Sequence, residues 1–310
     1  MIPTLKCCRK LLMYRLIPPS LILKVRLLLI LSVLSGCQAT LARGEIRVVD
    51  DVGTTLTLPQ PAQRILSLAP HITELLFSAG AGDRVVGAVS YSDYPAAARN
   101  IPLIGSYDRL DLEQMLALRP DLIVGWQSGN PQAALAHVLT LGIPVYLTEP
   151  RTFADIASNL ERLGVLAGTR EVAQEVASAF VADLEQLRIR YQDAPPVSVF
   201  YQVWREPLMT FNGDHLFNQM VRLCGGRNLF ADLPRLASPI DQEAVLMADP
   251  EVFIVGEVNR AWLDDWRRWN SLRAVRTDRL YALNQDLLVR PTLRTLDGIR
   301  QLCAVLQPQL

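Results

Sequence analysis

Between residues 46 and 150, short apolar runs alternate with stretches whose apolar residues recur every three or four positions. IRVVDDVGTTLTL (46–58) alternates in polarity around Gly53 and predicts a hairpin. Residues 64–68 and 84–89 read as buried strands. Between them a helix is expected from about 73 to 79, stopped by Gly80. The segment 122–126 is a third strand, 131–141 a helix ending at Gly142, and 144–147 a fourth strand. Residues 152–192 break this rhythm. Thr152 and Asp155 have the spacing of a helix cap, and Phe153, Ile156, Leu160 and Leu163 follow a helical face. A second stripe, Val172, Val176, Phe180, Leu184, Leu187 and Tyr191, runs on to Ala194-Pro195-Pro196. Strands are then expected at 197–203, 252–255 and 280–283, with helices at 214–223, 261–273 and 295–306. Alternation on this scale predicts an α/β chain with mainly parallel sheets.

One unit occurs twice. DLEQMLALRPDLIV (111–124) and DQEAVLMADPEVFI (241–254) align at an offset of 130, which pairs Asp111 with Asp241, Glu113 with Glu243, Leu116 with Leu246 and Pro120 with Pro250. Acidic Asp121 falls on Glu251. Each copy reads as a short helix with an acidic first turn, a proline stop and a buried strand. The repetition predicts two similar lobes, at 46–150 and 194–310, with a ligand-sized cleft between them. The long helix of the intervening segment 151–193 acts as a stiff strut.

The N-terminus changes the charge balance. Residues 1–36 carry six basic residues and no acidic one, and LLLILSVL (27–34) has the length of a signal core rather than a membrane span. Leu34-Ser35-Gly36-Cys37 looks like a lipoprotein cleavage site. It implies acylation of Cys37, with 37–45 as a tether on the periplasmic side of the envelope. Ordinary signal cleavage near Ala42 is the alternative, and Met13 is a second candidate start. Gln38 is not a retention signal of the aspartate type, so outer-membrane attachment is open. Without the leader, Lys+Arg falls from 31 to 25 against 31 Asp+Glu, a net charge of −6, which argues against nucleic acid as partner. No lysine remains after residue 36, so Schiff-base chemistry and a phosphate-loop lysine are excluded. Cys7 and Cys8 lie in the leader. Cys224 and Cys303 remain in an oxidising compartment, either as a disulfide or as two separate buried thiols.

Read in order, VVDDVG, RILSLAPHITELLFSAG, SYSDYP (90–95), DLEQMLALRPDLIVGWQSGN (111–130), CGGRNLF (224–230) and QLC (301–303) resemble the solute-binding proteins of ATP-driven importers, in the class with a rigid helical connector. This is the class III periplasmic-binding-protein fold, whose members take up cobalamin, ferric siderophores, haem, zinc or manganese. The strings are most similar to the cobalamin-binding members. The resemblance implies a monomeric, lipid-anchored receptor that clasps a corrinoid and docks on an ABC permease dimer with its ATPase. It also implies a Cys224–Cys303 disulfide, and no cofactor beyond the transported ligand.

Residue by residue, the resemblance implies ligand contacts at Tyr91, Tyr107 and Trp126 in the first lobe. In the second it implies the loop Asp286, Leu287, Leu288, Val289 and Arg290. Glu113 and Glu243 match the glutamates that dock on permease arginines. A flat, amide-fringed corrinoid suits such aromatics, which give broad contact at low entropy cost, and tyrosine adds a hydroxyl. Arg290 is a candidate for bonding a carbonyl or phosphate. The chain departs from the pattern where Ala237, Leu287 and Leu288 replace aromatics, and Trp204 is a candidate to compensate. Haem or a ferric siderophore is therefore the alternative ligand. His71, His137 and His215 form no metal-ligand cluster. Gly125-Trp-Gln-Ser128-Gly129 lacks nucleophile-elbow spacing, and His71 with Glu74 is weak ground for an enzyme.

Overall fold

A computed structural model describes residues 45–106 and 108–310. The leader, Cys37, the tether up to 44 and Tyr107 lie outside the described residues. Antiparallel strands β1 (Ile46–Val49) and β2 (Thr55–Leu58) form the opening hairpin. Strands β3 (Ile65–Ser67), β4 (Val85–Ala88), β5 (Leu122–Trp126) and β6 (Val145–Thr148) make a parallel sheet in the order β4-β3-β5-β6. A second parallel sheet follows the same winding. Strands β7 (Val197–Gln202), β9 (Gly226–Asn228), β11 (Val252–Gly256) and β12 (Leu280–Leu283) lie in the order β9-β7-β11-β12. Three-residue strands β8 (Met209–Phe211) and β10 (Ala237–Pro239) add a small antiparallel ribbon that hydrophobic periodicity does not reveal.

The repeat survives in three dimensions at its own offset. Helices α2 (Leu112–Ala117) and α7 (Gln242–Ala248) start 130 residues apart, as do β5 and β11. Asp111 caps α2 by accepting from the Gln114 amide (3.0 Å), and Asp241 caps α7 from Ala244 (2.7 Å). The third acidic position has a structural use in both copies. Asp121 accepts from the amides of Gln63 (2.8 Å) and Arg64 (2.9 Å) just before β3, and Glu251 accepts from Ser198 (2.8 Å) at the start of β7. Each carboxylate satisfies backbone donors that would otherwise lie unpaired at the end of the neighbouring strand.

Helix α1 spans Pro70–Ser78 and α3 spans Gln132–Leu139. Helix α1 begins three residues before the expected start, because proline at the first helical position loses no intrahelical bond and has its φ already set. The cap at Thr152 forms a full capping box with Asp155 and opens α4 (Phe153–Ala167). Helix α5 (Arg170–Tyr191) has 22 residues, roughly 33 Å at 1.5 Å each. Phe180, Leu187 and Tyr191 of the expected stripe are buried, but the first turns present a different face to the core. Ala173 and Ala177 are buried and Val172 is exposed. Small residues allow α5 to lie close on α4, where a Cβ at Gly164 would come within 2.2 Å of that of Ala173. One hydrophobic core continues from the first sheet through both helices to the second.

The expected helix 261–273 is broken into α8 (Trp262–Arg267) and α9 (Arg273–Arg276). The break at Asn270-Ser271 turns both Trp266 and Leu272 into the core on β11. Helix α6 spans Leu216–Leu223, α10 spans Gln285–Val289 and α11 spans Thr295–Leu306. The Cys224–Cys303 disulfide ties the end of α6 to α11. Closing a loop of 79 residues contributes roughly 4–5 kcal/mol in the chain-entropy account.

Candidate functional site

A cavity of about 330 Å³ opens where the two halves face each other. Pro70, His71, Tyr91 and Trp126 form one wall; Asp286, Val289, Arg290 and Pro291 form the other. Most of these residues lie at or just after the carboxyl ends of β3, β4, β5 and β12, where open parallel sheets place their ligands.

In the first wall, Trp126 ends β5 half-buried, and its ring meets His71 edge-on at 5.0 Å. Its amide donates to Asn130 Oδ1 (2.8 Å), and Asn130 Nδ2 reaches back to the Leu68 carbonyl (2.8 Å). Gly129 is needed here, because a Cβ would lie 1.8 Å from the indole. Tyr91 is 73% exposed and takes φ +66°, a left-handed conformation uncommon outside glycine that holds the ring at the cavity rim. His71 sits in the first turn of α1 rather than in a loop, fully buried, with Nε2 3.5 Å from the Thr148 hydroxyl. Burial, reinforced by the nearby Arg290 charge, lowers its pKa to about 3, so it is neutral at physiological pH.

The second wall revises the expected loop 286–290. These residues belong to a helical turn capped by Asn284. Positions i, i+3 and i+4 share a face, so Asp286, Val289 and Arg290 look into the cavity together. Leu287 and Leu288 point the other way and are buried, Leu288 within the main core. The leucines that were expected to touch ligand are packing residues. Trp204 is also placed elsewhere. Its indole N–H donates to the Glu206 carbonyl (3.2 Å), and its ring lies 6.4 Å from Trp262, outside the cavity lining. Ala237 pairs with Phe211 in the small ribbon and does not line the cavity.

Sequence reasoning missed a group of charges beside the cavity. Arg290 reaches Glu74 (3.1 Å), Asp93 (3.3 Å) and Asp286 (3.2 Å). Arg294 binds Glu74 through two bonds (2.9 and 2.6 Å) and lies 4.0 Å over the Tyr94 ring. Burial alone would lower the Arg294 pKa, but its bond and charge pairing with Glu74 hold it raised. The only local signal was the i, i+4 pair Asp286–Arg290; the partners Glu74 and Arg294 are 220 positions apart.

Glu113 and Glu243 are exposed, each in the first turn of its capped helix, and neither lines the cavity. His137 is exposed. His215 is half-buried, stacks on Phe211 at 3.5 Å and accepts from the Phe217 amide (3.1 Å); desolvation lowers its pKa to about 3. Among the described residues, no group of three or more His, Cys, Asp or Glu could hold a metal ion.

Residues 65–287 match the periplasmic binding protein family. The chain is 39% identical over 253 residues to the vitamin B12-binding protein of Vibrio cholerae, covering 81% of this chain and 92% of that protein. It is 36% identical over 249 residues to the vitamin B12-binding protein of Yersinia pestis, covering 80% and 88%. Among solved structures, the periplasmic vitamin B12 binding protein BtuF of V. cholerae superposes with a TM-score of 0.76 at 39% identity, over 80% of this chain and 98% of that one. The periplasmic haem-binding protein RhuT from Roseiflexus sp. RS-1 superposes at 0.72 with 25% identity, over 80% and 98%. Twin parallel sheets, a connecting helix and a cleft at the strand ends thus accompany a match over most of the sequence, and the chain belongs to the periplasmic binding protein family.

Proposed function

We propose that this protein captures a corrinoid, cobalamin, in the cleft between its halves and delivers it to an ABC importer. The observation that carries the reading is the first cleft wall. An edge-held tryptophan and an exposed, backbone-strained tyrosine stand at the strand ends, in a chain 39% identical to a vitamin B12-binding protein. Trp126 and Tyr91 supply broad apolar contact for the flat macrocycle, and the Tyr91 hydroxyl can bond the amide fringe. The second wall contributes Asp286, Val289 and Arg290, and the proposal includes Tyr107 as a further contact. Haem is the second reading, supported by the lower similarity to RhuT.

The division into lobes at 46–150 and 194–310, joined by a strut at 151–193, belongs to this proposal. So does the small amplitude of lobe movement, because a stiff helix limits rotation. Glu113 and Glu243 dock on the permease dimer, and their spacing reports whether the cleft is loaded. Lipid on Cys37 holds the receptor on the periplasmic side of the envelope. The protein binds and releases its ligand without converting it.

The test is titration with cyanocobalamin, and with hemin as competitor. Stoichiometric corrinoid binding that hemin does not displace supports the reading. Preferential hemin binding transfers the cleft to the second one.

A further inference from the structure

The charges beside the cavity join residues on opposite sides of the cleft. Glu74, Asp93 and Tyr94 come from the chain before the long helix, and Asp286, Arg290 and Arg294 from the chain after it. Glu74 is 2% exposed and takes bonds from both arginines. Charge-assisted pairs of this kind are roughly twice as strong as neutral hydrogen bonds and fix relative orientation. Arg290 also lines the cavity, so the group closing the two halves together borders the ligand's space. With all these bonds formed, that space is about 330 Å³, at the small end of the ~300–1,000 Å³ typical for drug-sized ligands. A corrinoid with its nucleotide loop is larger than a drug.

We infer that Glu74, Asp93, Arg290 and Arg294 form an interlobe clasp that holds the cleft closed and must part before a bulky ligand enters. The inference rests on the corrinoid reading only for the size of the ligand. A closed state that cannot accept the ligand lowers apparent affinity by the fraction of molecules that are open. Loosening the clasp therefore speeds association and leaves dissociation unchanged, because the loaded state has already lost these bonds. The pairing of Arg290 with Asp286 lies within one half and keeps that arginine placed while the carboxylates let go, whereas the Tyr94–Arg294 contact crosses the cleft and parts with the clasp.

The test uses Asp93→Asn and Glu74→Gln in the full chain. Both are near-isosteric and remove charge while keeping hydrogen-bonding capacity. Bioorthogonal labels at exposed Leu116 and Met247 report the separation of the two halves without ligand, and stopped-flow mixing with cyanocobalamin reports the rates. The expected result is a longer, broader label separation in both variants. Association should rise about two- to fivefold for Asp93→Asn, which loses a partly exposed pair, and about tenfold for Glu74→Gln. Unchanged separation and association, with only a lower melting temperature, overturn the clasp and leave a packing role. Faster dissociation at unchanged association also overturns it, because the bonds then belong to the loaded state. Failure of every form to bind cyanocobalamin defeats the corrinoid reading, while the label separation still decides the clasp.

Discussion

The two halves are alike at their outer ends and unlike at the cleft. Helices α2 and α7 begin with the same aspartate cap and the same exposed glutamate, and an acidic residue ten positions beyond each cap pins a neighbouring strand. At the cleft the first half offers rings, Tyr91, His71 and Trp126, while the second offers Asp286, Val289 and Arg290 from one face of a helical turn. Similarity at the ends suits a partner that reads both lobes in the same way. Dissimilarity at the cleft suits a ligand with a flat apolar face and a polar fringe. On the proposed function, the repeat is the partner surface and its loss the ligand surface.

The largest expected effect tests the shared ends. Glu113→Ala combined with Glu243→Ala should abolish uptake in a transport assay with ligand affinity intact; normal uptake would break the parallel between α2 and α7. Next comes the aromatic wall. Trp126→Ala should weaken cyanocobalamin by about 2 kcal/mol or more, some thirtyfold, in calorimetry.

The charged wall is tested by where a ring is added. Leu288→Phe should cost roughly 1–3 kcal/mol of stability in urea unfolding without helping binding, because position 288 is core. Val289→Phe, on the cleft face, should tighten binding severalfold. Equal effects at the two positions would contradict the helical turn.

The smallest effect appears with pH. His71 and His215 are held near pKa 3 when folded, against about 6.5 when unfolded. Between those values the unfolded chain binds protons that the folded chain refuses. Stability should therefore fall on acidification below about pH 6.5, by about 1.4 kcal/mol per pH unit for each histidine. His215→Asn keeps a capping side chain for α6 and should flatten that slope by one histidine's share.

What the sequence made legible was local or repeated. The Thr152–Asp155 capping box and the buried strands are short-range patterns, the 130-residue offset repeats one, and each is present in the structure. Tyr91 and Trp126 meet at the cavity because one follows and the other ends a strand of the first sheet. What stayed hidden depends on rotation about a helix or on distant pairing. A five-residue turn decides that Val289 faces the cleft and Leu288 the core, and no run so short shows its period. Alanines rather than valines line the inner face of the first turns of α5, where close packing on α4 favours small residues. The Glu74–Arg294 pairing has no local trace at all.

The most direct measurement is calorimetric titration of the purified protein with cyanocobalamin, read in parallel by tryptophan quenching. The account predicts one corrinoid per chain at sub-micromolar affinity, weakened by Trp126→Ala. Absence of binding, or binding that is indifferent to Trp126, would contradict it and move the ligand to haem or a ferric siderophore within the same fold.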